Sequence, residues 1–513
     1  MEMKLFNESI ITEKILLDTS VEQGIDQSVT LPEYCADISR ILKCHVVSGV
    51  SSTNVSGDRL VISGTSDIRL FYVDDNCANL QCYHQQVPFE RAVTLSDPNC
   101  TMPFVTTSVK QEFCNCNAIN QRRVDIHAAF SIKIKVSCQD VEQVLCDCQG
   151  CSTQIKKCDT DVLNRIAAVG RFFPVNETFE TGQSNPPIKN IINCDASCCV
   201  KEIKVIPNKI LVKGEIKAKI LYCPDEKNSE PQYIESSFPT SHIIDVEGVL
   251  PEHLCNAKIK LGCVDFMPKN DVNGEFRMVE MSAKAFVEVV VYEKKEICLI
   301  TDAYSTSDNL VCDSKHADIP SLLGKVDDTF MNRAVLEFPQ LDITKIFDVF
   351  ATSCTCNYKK SGSKVVLYGS VAVSLLYLSG DSSAGYIERS IDFEYDTNIE
   401  TESESITCEP TVLPLNVDFS IRSSTAVEVR VEQHVNAIVA DVSKRNVLVS
   451  INVDEEHPKK APSDALTIYF ASKGETVWDI ARKFNSTKEA VFAENDLSDD
   501  VIKNNAVLII PGV

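Results

Sequence analysis

Alternation of apolar and polar residues recurs along most of the chain, and it recurs three times in the same order. Val124-Asp125-Ile126-His127-Ala128, Val279-Glu280-Met281-Ser282-Ala283 and Val427-Glu428-Val429-Arg430-Val431 place apolar side chains at every second position, the period of a half-buried strand. Ahead of each stands a conserved order of shorter runs. In the first copy, Ile38-Ser39-Arg40-Ile41 precedes Leu60-Val61-Ile62-Ser63-Gly64 and Leu70-Phe71-Tyr72. The second reads Ile188-Lys189-Asn190-Ile191, Ile210-Leu211-Val212-Lys213-Gly214 and Ile220-Leu221-Tyr222. The third reads Ile343-Thr344-Lys345-Ile346, Val365-Val366-Leu367-Tyr368-Gly369 and Leu375-Leu376-Tyr377. In each copy the second isoleucine lies 23 residues before the glycine, and the glycine 8 before the tyrosine. Phe89, Phe238 and Phe393 follow. Turn signals at Asn54-Val55-Ser56-Gly57-Asp58, Lys227-Asn228-Ser229 and Ser361-Gly362-Ser363 suit antiparallel connections. The pattern predicts three repeated β-rich domains over residues 9–162, 163–318 and 319–454, each long enough to bury a core of its own.

The period changes near the C-terminus. A charged, proline-containing segment, 455–465, predicts an extended and mobile tether. Residues 466–513 then read as strand, helix, helix, strand. Thr476 with Asp479 three positions later forms a capping pair, and Trp478, Ala481, Arg482 and Phe484 follow at helical spacing. For the second helix, Ser486 is the expected N-cap, Glu489 its partner and Asn495 the left-handed C-cap. The expected fold class is therefore multidomain and mainly β, with a small α+β (βααβ) module at the end.

That module resembles the LysM domain family. The resemblance rests on Gly474-Glu475-Thr476-Val477-Trp478-Asp479-Ile480-Ala481, Asn495-Asp496-Leu497 and Ile510-Pro511. Many members carry Pro-Gly before the last strand, where this chain has Asn504-Asn505, and asparagine tolerates the left-handed conformation such a turn uses. LysM modules bind N-acetylglucosamine polymers in a groove between two loops. By position those loops are Ser472, Lys473, Gly474, Glu475 and Thr476 on one side, and Leu497, Ser498 through Asn504 and Asn505 on the other. Trp478, the only tryptophan, is a candidate contact residue beside them, with core packing as its rival role.

The repeats are similar to the SPOCS domain, most fully at Leu31-Pro32-Glu33-Tyr34-Cys35-Ala36-Asp37-Ile38-Ser39-Arg40-Ile41-Leu42. Asn185-Pro186-Pro187-Ile188 and Phe338-Pro339-Gln340-Leu341-Asp342 match less fully. The combination resembles a family of clostridial spore-coat morphogenesis proteins. It implies a non-enzymatic adaptor in the mother-cell cytosol at the forespore surface, whose LysM domain binds the coat ATPase stage IV sporulation protein A. It also implies coat-protein or self-association contacts for the SPOCS-like domains. Peptidoglycan binding at cortex or wall is the alternative.

Composition bears on that choice. The first residues, Met1-Glu2-Met3-Lys4-Leu5-Phe6, lack the pattern of a secretory signal, and no run of ~18 apolar residues occurs. With 50 basic and 73 acidic residues the net charge is −23, which disfavours nucleic acid and direct contact with an anionic membrane. The 23 cysteines lack framework spacing and fall mostly in apolar runs, so reduced thiols are expected. Cys138, Cys146, Cys148, Cys151 and Cys158, with Cys114/Cys116 and Cys354/Cys356, lack the ligand spacing of a zinc site. The phosphate-loop, zinc-protease and nucleophile-elbow motifs are absent, so no catalytic residue and no cofactor are assigned. Asp499-Asp500 and Glu455-Glu456 read as solvated loop charge. Adjacent Cys44 and His45 on a strand must face opposite ways.

Overall fold

The computed structural model describes residues 3–74, 80–97, 100, 103–150, 152–182, 184–226, 230–459 and 466–512. Cys151, the turn Lys227-Asn228-Ser229 and the linker residues 460–465 lie outside them.

The first repeat comprises β1 (Lys4–Thr30), β2 (Arg40–Ser56), β3 (Arg59–Val73), β4 (Leu80–Thr94), β5 (Phe104–Asn120) and β6 (Arg123–Gln149). They form two antiparallel sheets, β1-β6-β5 and β2-β3-β4. The second repeat copies this plan with β7 (Thr153–Glu180), β8 (Ile188–Ile206), β9 (Lys209–Pro224), β10 (Gln232–Asp245), β11 (Leu254–Asn270) and β12 (Phe276–Ser305). In the third, β13 (Leu310–Glu337), β14 (Ile343–Ser361), β15 (Lys364–Ser379), β16 (Ala384–Glu400) and β19 (Ala426–Val453) keep the order, while the position of β5 is divided between β17 (Ile406–Cys408) and β18 (Thr411–Ser423).

The repeated residues have physical reasons. A Cβ at Gly64 would overlap the Phe89 ring and the Gly49 carbonyl, and one at Gly369 the Phe393 ring and the Thr355 carbonyl. At Gly214 the obstacles are the Cys199 carbonyl, Ile259 and Thr240. The strand centre can be approached that closely only where no side chain stands. The tyrosines close the sandwich. Tyr72 Oη donates to Ala36 O and Tyr222 Oη to Pro186 O, each at 3.2 Å and across the same 36 residues.

The middle residues of the three Leu-Phe-Tyr-like triplets have a different task. Leu70 and Tyr72 face their own core, as do Ile220 and Tyr222, and Leu375 and Tyr377. Phe71, Leu221 and Leu376 point the other way and meet in one shared apolar cluster with Phe347 and Phe350. Polar contacts ring it in a cyclic order. Arg69, five residues after the repeat glycine, donates to Asn193 Oδ1 (3.3 Å) and Cys194 O (2.6 Å) of the second repeat. Lys219, at the same offset, pairs with Asp348 of the third at 2.8 Å, and Asn193 Nδ2 also reaches Asp348 (2.9 Å). Ser374 closes the ring through Tyr386 Oη (2.5 Å), which in turn touches His45 of the first repeat. Cys44 and His45 do face opposite ways, Cys44 into its own core and His45 into this junction.

The domain limits expected at 162/163 and 318/319 fall inside single strands, β7 and β13. Alternation gives no sign of where a long strand leaves its domain. Each repeat extends its outer pair into a two-stranded ribbon: residues 4–14 with 138–149, 153–164 with 293–305, and 310–320 with 442–453. A bulge at Leu16, Ile166 and Leu323 marks each departure. The three ribbons share an apolar stem core that includes Ile10, Val144, Val162, Leu299, Ile319 and Val447.

The thiol expectation needs one correction. The segment before β5 brings Cys100 to a Cα separation of 6.3 Å from Cys138 on β6, and the two are joined as a disulfide. Among the described residues, no group of three or more His, Cys, Asp or Glu is arranged to hold a metal. No helix among them is long and apolar enough to cross a membrane.

Candidate functional site

The C-terminal module is built from β20 (Leu466–Ala471), α1 (Val477–Lys483), α2 (Lys488–Asn495) and β21 (Ala506–Pro511). The two strands pair antiparallel, Leu466 opposite Pro511 and Phe470 opposite Val507. Helix α1 starts as its sequence dictates. Thr476 is the N-cap and accepts from Asp479 N at 3.1 Å, while its hydroxyl donates back to the Asp479 carboxylate at 2.6 Å.

The second helix departs from expectation by one residue at each end. Thr487, not Ser486, is the N-cap and accepts from Ala490 N, and Asp496, not Asn495, takes the left-handed conformation with φ 48°. Both freed residues tie the module together. Ser486, wholly buried, donates from Oγ to Pro511 O at 2.7 Å. Asn495 accepts from Ile509 N (2.6 Å) and donates to Val491 O and Ile509 O, fixing α2 to β21. The left-handed residue between the helices is Asn485, φ 52°.

The two loops expected to flank a groove are hydrogen-bonded to each other. Gly474 N donates to Ile502 O (2.8 Å), Ile502 N to Glu475 O (2.9 Å) and Val477 N to Asp500 O (2.8 Å), with a strand-like bridge between Thr476 and Val501. Gly474 holds φ 95°, a conformation that glycine adopts without strain. Glu475 folds back to accept from Ser472 N (2.8 Å) and from Tyr469 Oη (2.9 Å), which keeps its carboxyl below the usual carboxylate range. Asn504 and Asn505 are exposed and neither is left-handed. Asn505 serves the turn differently, accepting from Lys473 N at 2.9 Å through its side chain. Ser472, Lys473, Gly474 and Ser498 are exposed, whereas Leu497 packs against the module's core.

Trp478 does not lie on a free surface. It is 4% exposed and its ring meets Tyr304 of β12 edge-on, with centroids 4.9 Å apart. Trp478 Nε1 donates to Asp302 Oδ2 at 2.8 Å, and Arg482 Nη1 reaches both Asp302 oxygens at 3.0 and 2.8 Å. Tyr304 Oη donates to Ser486 O at 2.9 Å, so burial of this phenol, which pushes its pKa upward, is matched by a partner. The tether assists. Lys459 Nζ donates to Ser305 O (2.5 Å) and Asn309 Nδ2 to His457 O (2.7 Å), so this first half of the linker is pinned rather than extended. Nothing in local spacing could have found this contact, because Asp302 and Trp478 are 176 residues apart.

What the module does leave open is the outer face of its sheet. Leu466, Ile468 and Phe470 alternate outward along β20, and Val507 joins them from β21; Phe470 is 74% exposed. These side chains are an apolar patch that the sequence reading did not single out. The signal was present: Leu466, Ile468 and Phe470 put apolar side chains on one face while Tyr469 lies on the other, so one face of a two-stranded sheet had to remain uncovered.

Comparison with known families finds two kinds of domain. The SipL SPOCS domain matches residues 37–119 and 187–268, and the LysM domain matches residues 472–511. The third repeat folds on the same plan without being matched as a SPOCS segment. No curated protein and no solved structure matches the chain. SPOCS and LysM are binding or adaptor domains.

Proposed function

We propose that this chain, which carries SipL-type SPOCS domains followed by a LysM domain, is a non-enzymatic adaptor of spore-coat morphogenesis. Its LysM domain binds stage IV sporulation protein A and recruits the coat to the forespore surface in the mother cell. The SPOCS-like repeats supply the body from which the LysM is displayed, and contacts with other coat proteins fall to them.

The observation that carries this reading is the uncovered sheet face Leu466, Ile468, Phe470 and Val507. An apolar face is suited to a protein partner, which removes it from water. A sugar polymer would call for free polar groups in the loop groove, and three backbone N–H groups there, those of Gly474, Val477 and Ile502, already pair across the loops. The loop surface Ser472 to Thr476 and Leu497 to Asn505 borders the apolar face and is read as the rim of the same interface.

The test uses the full chain and its Phe470→Glu variant, with immobilised stage IV sporulation protein A and with peptidoglycan. Retention of the parent on the ATPase, and its loss in the variant at unchanged thermal stability, is the expected result. Retention on peptidoglycan with no recovery on the ATPase would overturn the reading in favour of glycan binding.

A further inference from the structure

The three ribbon ends of the stem are equivalent positions, and the LysM module sits on only one of them. In each ribbon a second bulge falls at Cys146, Thr301 and Val449. The residues just after it correspond: Asp147, Asp302 and Ser450, then Cys148, Ala303 and Ile451 in the stem core, then Gln149, Tyr304 and Asn452. Only the second ribbon joins a carboxylate to an aromatic ring two residues on. Those are the two groups that meet Trp478 and Arg482.

We infer that Asp302 and Tyr304 form a dedicated cis docking site for the Trp478/Arg482 face of the LysM domain, a latch that hides this face until the module is released. Selection of one ribbon end among three is a matter of chemistry rather than of proximity alone. The carboxylate accepts from both the indole N–H and the guanidinium, and the phenol reaches the α1–α2 turn through Ser486 O. A partner that takes the same face must offer the same pair, an acidic group beside an aromatic ring on an extended segment.

The contact is built to open. Apart from Tyr304, every buried member of the LysM core comes from the module itself, including Val477, Ile480, Ala481, Val491, Leu508 and Ile510, so the released module keeps most of its core. The Arg482 and Asp302 side chains are 51% and 29% exposed, so water can replace their pairing. Release leaves an indole ring and a cation without partners, which is the kind of surface that anchors interfaces.

Trp478 is the only tryptophan, so its emission in the full chain reports the latch directly. Asp302→Ala, Tyr304→Ala and Arg482→Glu are each expected to shift emission to the red and raise acrylamide quenching, with an unchanged far-UV spectrum. Asp302→Glu, which keeps a carboxylate for both the indole N–H and the guanidinium, is expected to stay near the parent's emission where Asp302→Ala does not. Unchanged emission in Asp302→Ala, Tyr304→Ala and Arg482→Glu, or no difference between Asp302→Glu and Asp302→Ala, overturns the latch. The masking arm rests on the function proposed above. The opened variants that leave this face intact, Asp302→Ala and Tyr304→Ala, should bind immobilised stage IV sporulation protein A about tenfold tighter, the ratio expected when the open form is about a tenth of the parent population. Equal or weaker binding overturns masking. If neither parent nor variants bind the ATPase, the proposed function fails, and the emission results still decide the latch.

Discussion

Two of this molecule's joints are built on opposite principles. Where the three repeats meet, Phe71, Leu221 and Leu376 are at most 1% exposed, and the polar groups around them run in a cycle from Arg69 to Asn193, Asp348, Lys219, Ser374, Tyr386 and His45. Where the LysM meets the second ribbon, one indole, one phenol and one half-open ion pair make the contact. The first joint is an apolar cluster closed to water, added to the three repeats' own cores. The second is a smaller contact partly open to water. A short tandem of like domains has thus become one body, while the unlike domain remains a separable attachment.

The comparison breaks most visibly at Phe71. Replacing it by alanine empties the centre of the junction, and large-to-small changes at such sites cost ~3–5 kcal/mol. Urea denaturation of Phe71→Ala should show that loss in a transition shared by all three repeats, with Trp478 emission before the transition unchanged. A loss confined to one repeat would mean that the junction is a contact and not a core.

His45 offers a second break, through pH. Its imidazole is buried against Phe71, Phe350 and Tyr386, and burial first, then the neighbouring Lys43 and Arg69, lower its pKa from 6.5 to about 3. The folded state therefore stays neutral at His45 while the unfolded chain takes up a proton below pH 6.5. Stability should fall as pH drops from about 6.5 toward about 3, with a slope approaching ~1.4 kcal/mol per pH unit from this group. Urea midpoints measured between pH 7.5 and 5 check it, as a His45→Gln variant should lose that part of the slope. The LysM segment 466–513 contains no histidine, so its contact with Asp302 and Tyr304 should hold through the same range.

A third change acts on the smaller unit alone. Thr476→Ala removes the cap of α1 and should cost the LysM ~1 kcal/mol. The effect should appear in thermal unfolding followed by Trp478 emission and be absent from the far-UV transition that the strands dominate.

What could be read from the chain follows the same divide. The repeat was legible because glycine, tyrosine and phenylalanine at Gly64, Tyr72 and Phe89 answer to local strand geometry, and the spacing of local geometry survives in the sequence. Thr476 was legible as a cap for the same reason. The ends of the repeats were not, because β7 and β13 run unbroken from sandwich into stem and their alternation never pauses. The second helix was misread by one residue because Ser486 and Thr487 are both able caps. The choice between them is made by Pro511 and Tyr304, far away in sequence. For Trp478 core and interface stood as alternatives, and its ring packs against a strand end in another domain. Phe71, Leu221 and Leu376 looked like ordinary core residues, and only assembly of the three repeats gives them a common destination.

The smallest effect separates the two joints most cleanly. The Arg482–Asp302 pair is partly open to water, and pairs of that kind contribute ~0.2–1 kcal/mol and weaken as salt shortens the screening length from ~10 Å at 0.1 M to ~3 Å at 1 M. The junction of the repeats is shielded by apolar side chains and loses little to salt. Raising sodium chloride from 0.1 to 1 M should therefore increase acrylamide quenching of Trp478 slightly, while the main unfolding midpoint stays level or rises. In Arg482→Leu, which removes the charge, quenching should start higher and show no salt dependence. A salt effect of equal size in that variant would assign the sensitivity to some other charge, and would leave the indole and phenol alone as the grip of the latch.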